Sequence, residues 1–172
     1  MRFVRWIIPA LAVLIPMSAE AHRGWLLPSA TIFSATDQWV TVDAASSNEL
    51  FIFDHNPLRL ANVGPAGKGR GRQAELSIIA PDGSQVEAKN AAVGRYRSTF
   101  DIHLTQEGTY RIAALNNMLV ASYKVGGERK RWRGGLTDTP PIPAGATDVR
   151  VAHSQARIET FVTVGKPSPK AL

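Results

Sequence analysis

Residues 104–115, LTQEGTYRIAAL, decide the fold class of this chain. A tight turn at Glu107 and Gly108 leads directly into a strand that begins near Tyr110. In one class of β-sandwich a tyrosine at such a corner bonds through its hydroxyl to the backbone a few residues upstream. A tyrosine that merely begins a half-buried strand gives a similar pattern. We favour the corner, which predicts an antiparallel β-sandwich.

The rest of the chain has the composition of an all-β protein. Short β-branched or aromatic runs alternate with Gly, Pro, Asp and Asn, and helical periodicity is nearly absent. The fold class predicted is an immunoglobulin-like antiparallel β-sandwich preceded by a cleaved signal peptide. Without cysteine it is not an antibody-type domain. Strands are expected at 25–33, 38–45, 50–54, 74–80, 84–88, 96–105, 109–115, 119–125 and 149–164, with a turn at 81–83 closing a hairpin.

The first 21 residues have the organisation of a secretory signal. Arg2 and Arg5 precede the apolar run 7–16, which is shorter than the about 20 residues that span a bilayer. Ala19 and Ala21 are the small residues that signal peptidase recognises. We expect residues 1–21 to be removed and the protein to be periplasmic, with no stable membrane insertion afterwards. An uncleaved anchor is the alternative.

Composition limits the chemistry and the domain count. The chain has 172 residues, a net charge of +6 and no cysteine, so no thiolate can act as nucleophile or metal ligand. We expect a sandwich at 22–126, a basic and Pro-rich connector at 127–148, and a final strand and tail at 149–172. That last part is either a frayed end or the start of a truncated second domain. The Gly-rich, basic stretch 64–72 is expected to be a mobile loop.

The histidines are the candidate metal ligands. Cleavage after Ala21 would give His22 a free α-amine beside its imidazole, and the two nitrogens can chelate one ion. Nitrogen ligands without thiolate favour copper(II), nickel(II) or zinc. His55 follows a predicted strand and is the preferred second ligand, and His103 on an outward strand face is the third candidate. His153 would lie on the same strand face as the apolar residues Val149 and Val151, and is better explained as a core histidine.

Trp132 is the candidate ligand-binding aromatic residue. It lies in the basic stretch GGERKRWRGG at 126–135, where its ring could stack on a guanidinium or on a ligand. The alternative is a solvated linker, since charge runs usually mark solvated chain. An exported protein seldom meets nucleic acid, so no nucleic-acid partner is expected.

Seven stretches carry a resemblance to a known family: AHRGWLLPS, VTVDAASSNELFIFDHNPLRL, APDGSQV, GRYRSTFDIHLTQEGTYRIA, ASYK, KRWRG and IETFVTVGKPS. They resemble bacterial periplasmic immunoglobulin-like proteins, a domain of unknown function related to the periplasmic component of cobalt/nickel uptake transporters. The resemblance implies a sandwich and a link to nickel or cobalt ions. The chain departs from it in lacking a second sandwich and in the stretch 64–72, which looks like an insertion.

Three functions follow from these patterns. The favoured one is a non-catalytic periplasmic protein that binds a transition metal (Ni, Co or Cu) for uptake, with a membrane metal transporter as the candidate partner. The second is an immunoglobulin-like module that binds a protein or glycan. The third is a copper-dependent polysaccharide oxidase, which needs a flat aromatic substrate face and a second histidine in the copper site, and the sequence reveals neither. No acid/base carboxylate pair stands out, so an enzyme is not expected.

Overall fold

The computed structural model describes residues 22–61, 63 and 73–171. The predicted signal peptide, 1–21, and the whole of the predicted mobile loop, 64–72, lie outside this part of the chain. The described residues form strands, one short 3₁₀ helix and no α-helix, which confirms the all-β prediction. No described helix has the length and apolar character needed to cross a membrane. The elements are β1 (Arg23–Pro28), β2 (Ile32–Phe33), β3 (Gln38–Ser47), β4 (Asn56–Pro57), β5 (Glu75–Ile79), β6 (Lys89–Val93), β7 (Ser98–Leu104), β8 (Gly108–Val125), β9 (Glu128–Gly134), β10 (Thr147–Val164) and the helix Pro169–Ala171.

The strands form two sheets of five. In the first, the order is β1-β3-β7-β6. The short strand β4 pairs with the C-terminal end of β3, on the same edge as β7. In the second, the order is β2-β10-β8-β5, and β9 pairs with β8 beyond β5. All pairs between these strands are antiparallel except the short β2–β10 pair. The two sheets enclose one core and so form a β-sandwich.

Alternating side chains of both sheets build that core. Along β7 every second residue from Ser98 to Leu104 is buried, as the period of a strand with one covered face requires. Tyr110 is fully buried on β8, and its hydroxyl accepts a 2.8 Å hydrogen bond from the backbone N–H of Gln106. This is the bond expected of a tyrosine corner. The largest fully buried apolar side chains are Tyr110, Phe100, Leu60, Ile78, Ile102, Leu104, Ile112, Val40, Val42, Val162 and Val164.

Three strand predictions are wrong in detail. Residues 50–54 form turns and irregular chain instead of a strand. The predicted break at Asn116 and Asn117 is absent, because both residues continue the ladder between β8 and β10. The predicted hairpin around the turn 81–83 is reduced to a single bridge between Ile79 and Gln85.

The region 127–148 contains a strand where a connector was expected. β9 pairs with β8 from Glu128 to Gly134, and the chain then returns along β10. We call the three paired segments 116–125, 128–134 and 147–157 the arm. Every β10 side chain in the arm is exposed, whereas Val162 and Val164 on the same strand are buried, so the arm extends past the two-sheet core. Because β10 pairs with β8 from Gly108 to Lys124, the last strand is part of the second sheet.

Candidate metal-binding site

Two of the predicted ligands meet at one end of the first sheet. His22 immediately precedes β1, and His55 ends the loop between β3 and β4. Their ring centroids are 3.6 Å apart, with the ring planes inclined at 37°. Both residues are exposed, so an ion from solvent can reach either ring. The fold therefore brings together the first and second ligands that the sequence favoured.

Asn48 holds the ring of His22. The Oδ1 atom of Asn48 lies 2.7 Å from Nδ1 of His22. Since a carbonyl oxygen only accepts, Nδ1 carries the proton in this arrangement, and in a neutral ring the lone pair is then on Nε2. A chelate between Nδ1 and the α-amine of His22 therefore requires Asn48 to release the ring.

A buried tryptophan supports the turn that carries Asn48. Trp25 is 2 % exposed, and its Nε1–H donates a 2.7 Å hydrogen bond to Oγ of Ser47. The hydroxyl of Ser47 in turn donates to the carbonyl oxygen of Glu49. This chain of bonds fixes the backbone on both sides of Asn48, so the position of the His22 partner depends on a core residue.

The same tryptophan anchors the loop that ends at His55. Phe51 and Phe53 approach Trp25 edge-on, with centroid distances of 5.5 and 5.2 Å. The guanidinium of Arg97 lies 4.8 Å from the ring centroid of Phe53. Apolar residues that looked like a strand thus serve as contacts for Trp25.

The tip of this loop is apolar and exposed. Leu50, Phe51 and Ile52 are each about half exposed (49, 49 and 48 %). Phe51 has φ 65°, a left-handed conformation that is rare for a bulky residue. Residues held in such conformations cluster at binding and active sites. An exposed apolar segment therefore lies in the same loop as His55.

His103 lies away from the pair. Its ring stacks on Trp39 at 4.5 Å and its Nε2 is 2.6 Å from Oδ1 of Asp37. Trp39 pairs with His103 near one end of β3, while His22 adjoins the other end at Ser47. Eight residues of extended strand separate the two ends, about 27 Å. His103 therefore cannot share an ion with His22 and His55.

Trp132 and His153 lie in the arm. Trp132 is half-buried, and its ring covers Gly134 so closely that an added Cβ there would lie 2.1 Å from Cζ2. Its partner across the ladder, Ala121, is fully buried. His153 is exposed, so its interpretation as a core histidine is wrong.

Comparison with known proteins gives a family. A family model matches residues 19–172, nearly the whole chain. The chain belongs to the family Domain of unknown function (DUF4198). No curated protein and no solved structure matches it.

The donor set of this DUF4198 chain is small. Among the described residues no group of three or more His, Cys, Asp or Glu side chains could hold a metal ion. Hydrogen bonds and ion pairs lower the pKa of three carboxyl groups, but all three lie elsewhere: Asp82 bonds Ser84, Glu87 bonds Lys89, and Asp148 bonds Lys124. The histidine pair therefore offers two imidazoles, and only the α-amine of a chain cut after Ala21 would add a third nitrogen.

Sequence reasoning about this DUF4198 chain missed Asn48 and the role of Trp25. An asparagine after a strand is most often a turn residue, so Asn48 carries no distinguishing signal. Trp25 was assigned correctly to a strand, but its bond to Ser47 depends on the pairing of β1 with β3. That pairing is not readable from the sequence.

Proposed function

We propose that this chain is an exported, non-catalytic protein that binds a transition-metal ion through His22 and His55. The contact of the two imidazole rings at 3.6 Å carries the proposal. Imidazole is a preferred ligand of copper, nickel and zinc, and the chain has no thiolate to compete. The protein would act in the periplasm after removal of residues 1–21.

The proposed donor set has three nitrogens. The α-amine and Nδ1 of His22 form a chelate, and His55 provides the third nitrogen. In the structure described, Asn48 occupies Nδ1 of His22, so metal and Asn48 compete for that atom. A neutral hydrogen bond contributes about 0.5–1.5 kcal/mol, which metal ligation can exceed. Three nitrogens leave coordination positions for water or for a ligand of a receiving protein.

Calorimetric titration of the exported protein with Cu(II) and with Ni(II) tests this function. Mass spectrometry of the same sample fixes its first residue. We expect one ion per chain, a large loss of affinity in His55→Ala, and unchanged affinity in His103→Ala, the matched control. Equal affinity of wild-type protein and His55→Ala would refute the site.

Two further variants separate the modes of His22 ligation. One residue added before His22 should weaken binding, because it removes the amine from the chelate. Asn48→Ala should raise affinity by about 2- to 12-fold, the equivalent of one hydrogen bond. Weaker binding in Asn48→Ala together with no effect of the extension would indicate ligation through Nε2, with Asn48 orienting the ring.

The exposed tip at 50–52 favours a partner protein beside the site. A membrane metal transporter that receives the ion could contact this tip, which would bring it next to His55. The same observation supports the second candidate, an immunoglobulin-like module that binds protein or glycan without metal. Binding of a candidate transporter domain to Phe51→Ser and to His22→Ala distinguishes the two: metal delivery needs both residues, whereas a metal-independent module needs only the tip.

A further inference from the structure

The arm has a free β-sheet edge. Among the described residues β10 pairs with β8 on one side, and on the other side only Thr163 and Val164 pair, with β2. From Arg150 to Arg157 the register with β8 is regular, after an irregularity at the tip of the arm. Eight extended residues span about 26 Å. Their outward N–H and C=O groups form a template for a further strand.

One face of the arm is strongly basic. Arg131, Ser122 and Arg150 form one row across three strands, because Ser122 pairs with both arginines. Paired residues of an antiparallel ladder lie on the same face, and so do residues two apart. The same face therefore also carries Lys124, Arg129 and Arg133. The nearby carboxylate is that of Asp148, which pairs with Lys124 at 2.6 Å.

The opposite face of the arm is apolar beside the free edge. Trp132, Ala121 and Val151 form a row across the same three strands. Val151 ends this row at the edge and is 51 % exposed, and nearby Val149 is 46 % exposed. A strand added to the edge would extend the row and cover Val151.

Charge decides what fits this edge. A second copy of the chain would add another basic face to the same sheet, and the chain already has a net charge of +6. Like charges brought together across an interface oppose association. A strand with acidic side chains on one face and apolar side chains on the other complements both faces at once.

We propose that the β10 edge of the arm binds an extended peptide segment of another protein, with alternating acidic and apolar residues, by strand addition. The main chain of the segment pairs with residues 150–157. Its acidic side chains lie beside Arg150, within the field of the other four cations, and its apolar side chains cover Val151. This mode of recognition takes affinity from backbone bonds and specificity from alternate side chains. The proposal does not depend on metal binding.

Fluorescence anisotropy with three labelled nine-residue peptides tests the proposal on the full chain. The first alternates valine and glutamate, the second alternates valine and lysine, and the third is the first with every amide N-methylated, so that neither of its edges can donate to a neighbouring strand. We expect only the first to bind, with affinity falling as salt rises. Hydrogen exchange of the amides at 150–157 should slow when it binds. Equal binding of the first and third peptides would overturn strand addition, and equal binding of the first two would overturn charge recognition.

A pair of charge reversals locates the site. Arg150→Glu should weaken binding of the first peptide about tenfold. Lys130→Glu is the matched control, because Lys130 lies on the opposite face of the arm in an ion pair with Glu128, and it should change affinity little. Equal effects of the two reversals would contradict the proposed face. A stable dimer through the β10 edge, detected by sedimentation and slowed exchange at 150–157, would show that a second copy is the occupant and overturn the proposal.

Discussion

At the scale of single residues, Trp25 contacts both of the segments that flank the histidine pair. Its indole N–H bonds Ser47 next to Asn48, and its ring contacts Phe51 and Phe53 in the loop that ends at His55. The residue types of the two proposed ligands are readable from the sequence, since imidazole is a common metal ligand. Their neighbours are not readable, because the contacts of Trp25 exist only after β1 and β3 have paired.

Replacing Trp25 by phenylalanine should loosen the site. The variant keeps an aromatic ring but leaves the hydroxyl of Ser47 without its donor in a buried position. We expect a loss of about 1–3 kcal/mol in the free energy of unfolding, measured in urea, and weaker Ni(II) binding. Trp39→Phe, at the other end of β3, is the control and should leave metal affinity unchanged. Identical metal affinities of wild-type protein and Trp25→Phe would show that the loop is positioned without Trp25.

At the scale of elements, alternation of side chains is the signal that the sequence carries best. It predicts β7 correctly because Phe100, Ile102 and Leu104 face a core on one side only. It fails for residues 50–54, where Phe51 and Phe53 contact Trp25 from a loop. β9 was expected to be a linker because its residues are mostly charged, yet alternation places its arginines on one face and Trp132 on the other.

Gly134 tests the packing of the arm. A Cβ at this position would lie 2.1 Å from two ring atoms of Trp132, so Gly134→Ala must displace the ring. We expect the variant to lose about 1–3 kcal/mol of stability in urea and to change its tryptophan fluorescence. Gly94→Ala is the milder control, since its nearest neighbour is a carbonyl oxygen at 3.2 Å. If both variants are equally stable, Trp132 does not pack as described.

Asp82, in the turn between β5 and β6, makes the stability of the fold depend on pH. Its carboxylate accepts bonds from the backbone N–H and the hydroxyl of Ser84 and from Nε2 of Gln106, and these lower its pKa below the ordinary 3.8. A lowered pKa stabilises the fold above the ordinary value, and that contribution is lost as pH falls through the folded-state pKa. The melting temperature of Asp82→Asn should therefore be lower than that of wild type at pH 7, and the two temperatures should converge in acid.

Thermal melts from pH 7 to pH 2 measure this effect. The control is Asp54→Asn, whose carboxylate has no hydrogen bond within the described part of the chain. The melting temperature of Asp54→Asn should differ little from that of wild type at neutral pH. If the melting temperatures of Asp82→Asn and wild type differ by the same amount from pH 7 to pH 2, the carboxylate does not have the proposed role.

At the scale of the whole molecule, the sandwich brings the two proposed ligands together from distant segments of the chain. β1 pairs with β3 so that Arg23 lies opposite Ser47, which places His22 beside the loop that follows β3. The sequence favoured His55 as the partner of His22 because His55 follows a predicted strand, where a loop can direct its imidazole towards the tip of the domain. It also offered His103, and only the length of β3 excludes that residue from the same ion.

The nitrogen ligands of bound Cu(II) test the central claim most directly. Pulsed electron paramagnetic resonance of the exported protein, loaded with one Cu(II) per chain, distinguishes coordinated imidazole from other nitrogens. We predict two imidazoles in the wild-type protein, one in His55→Ala and two in His103→Ala. A single imidazole in the wild-type protein, or a spectrum unchanged by His55→Ala, would contradict the account.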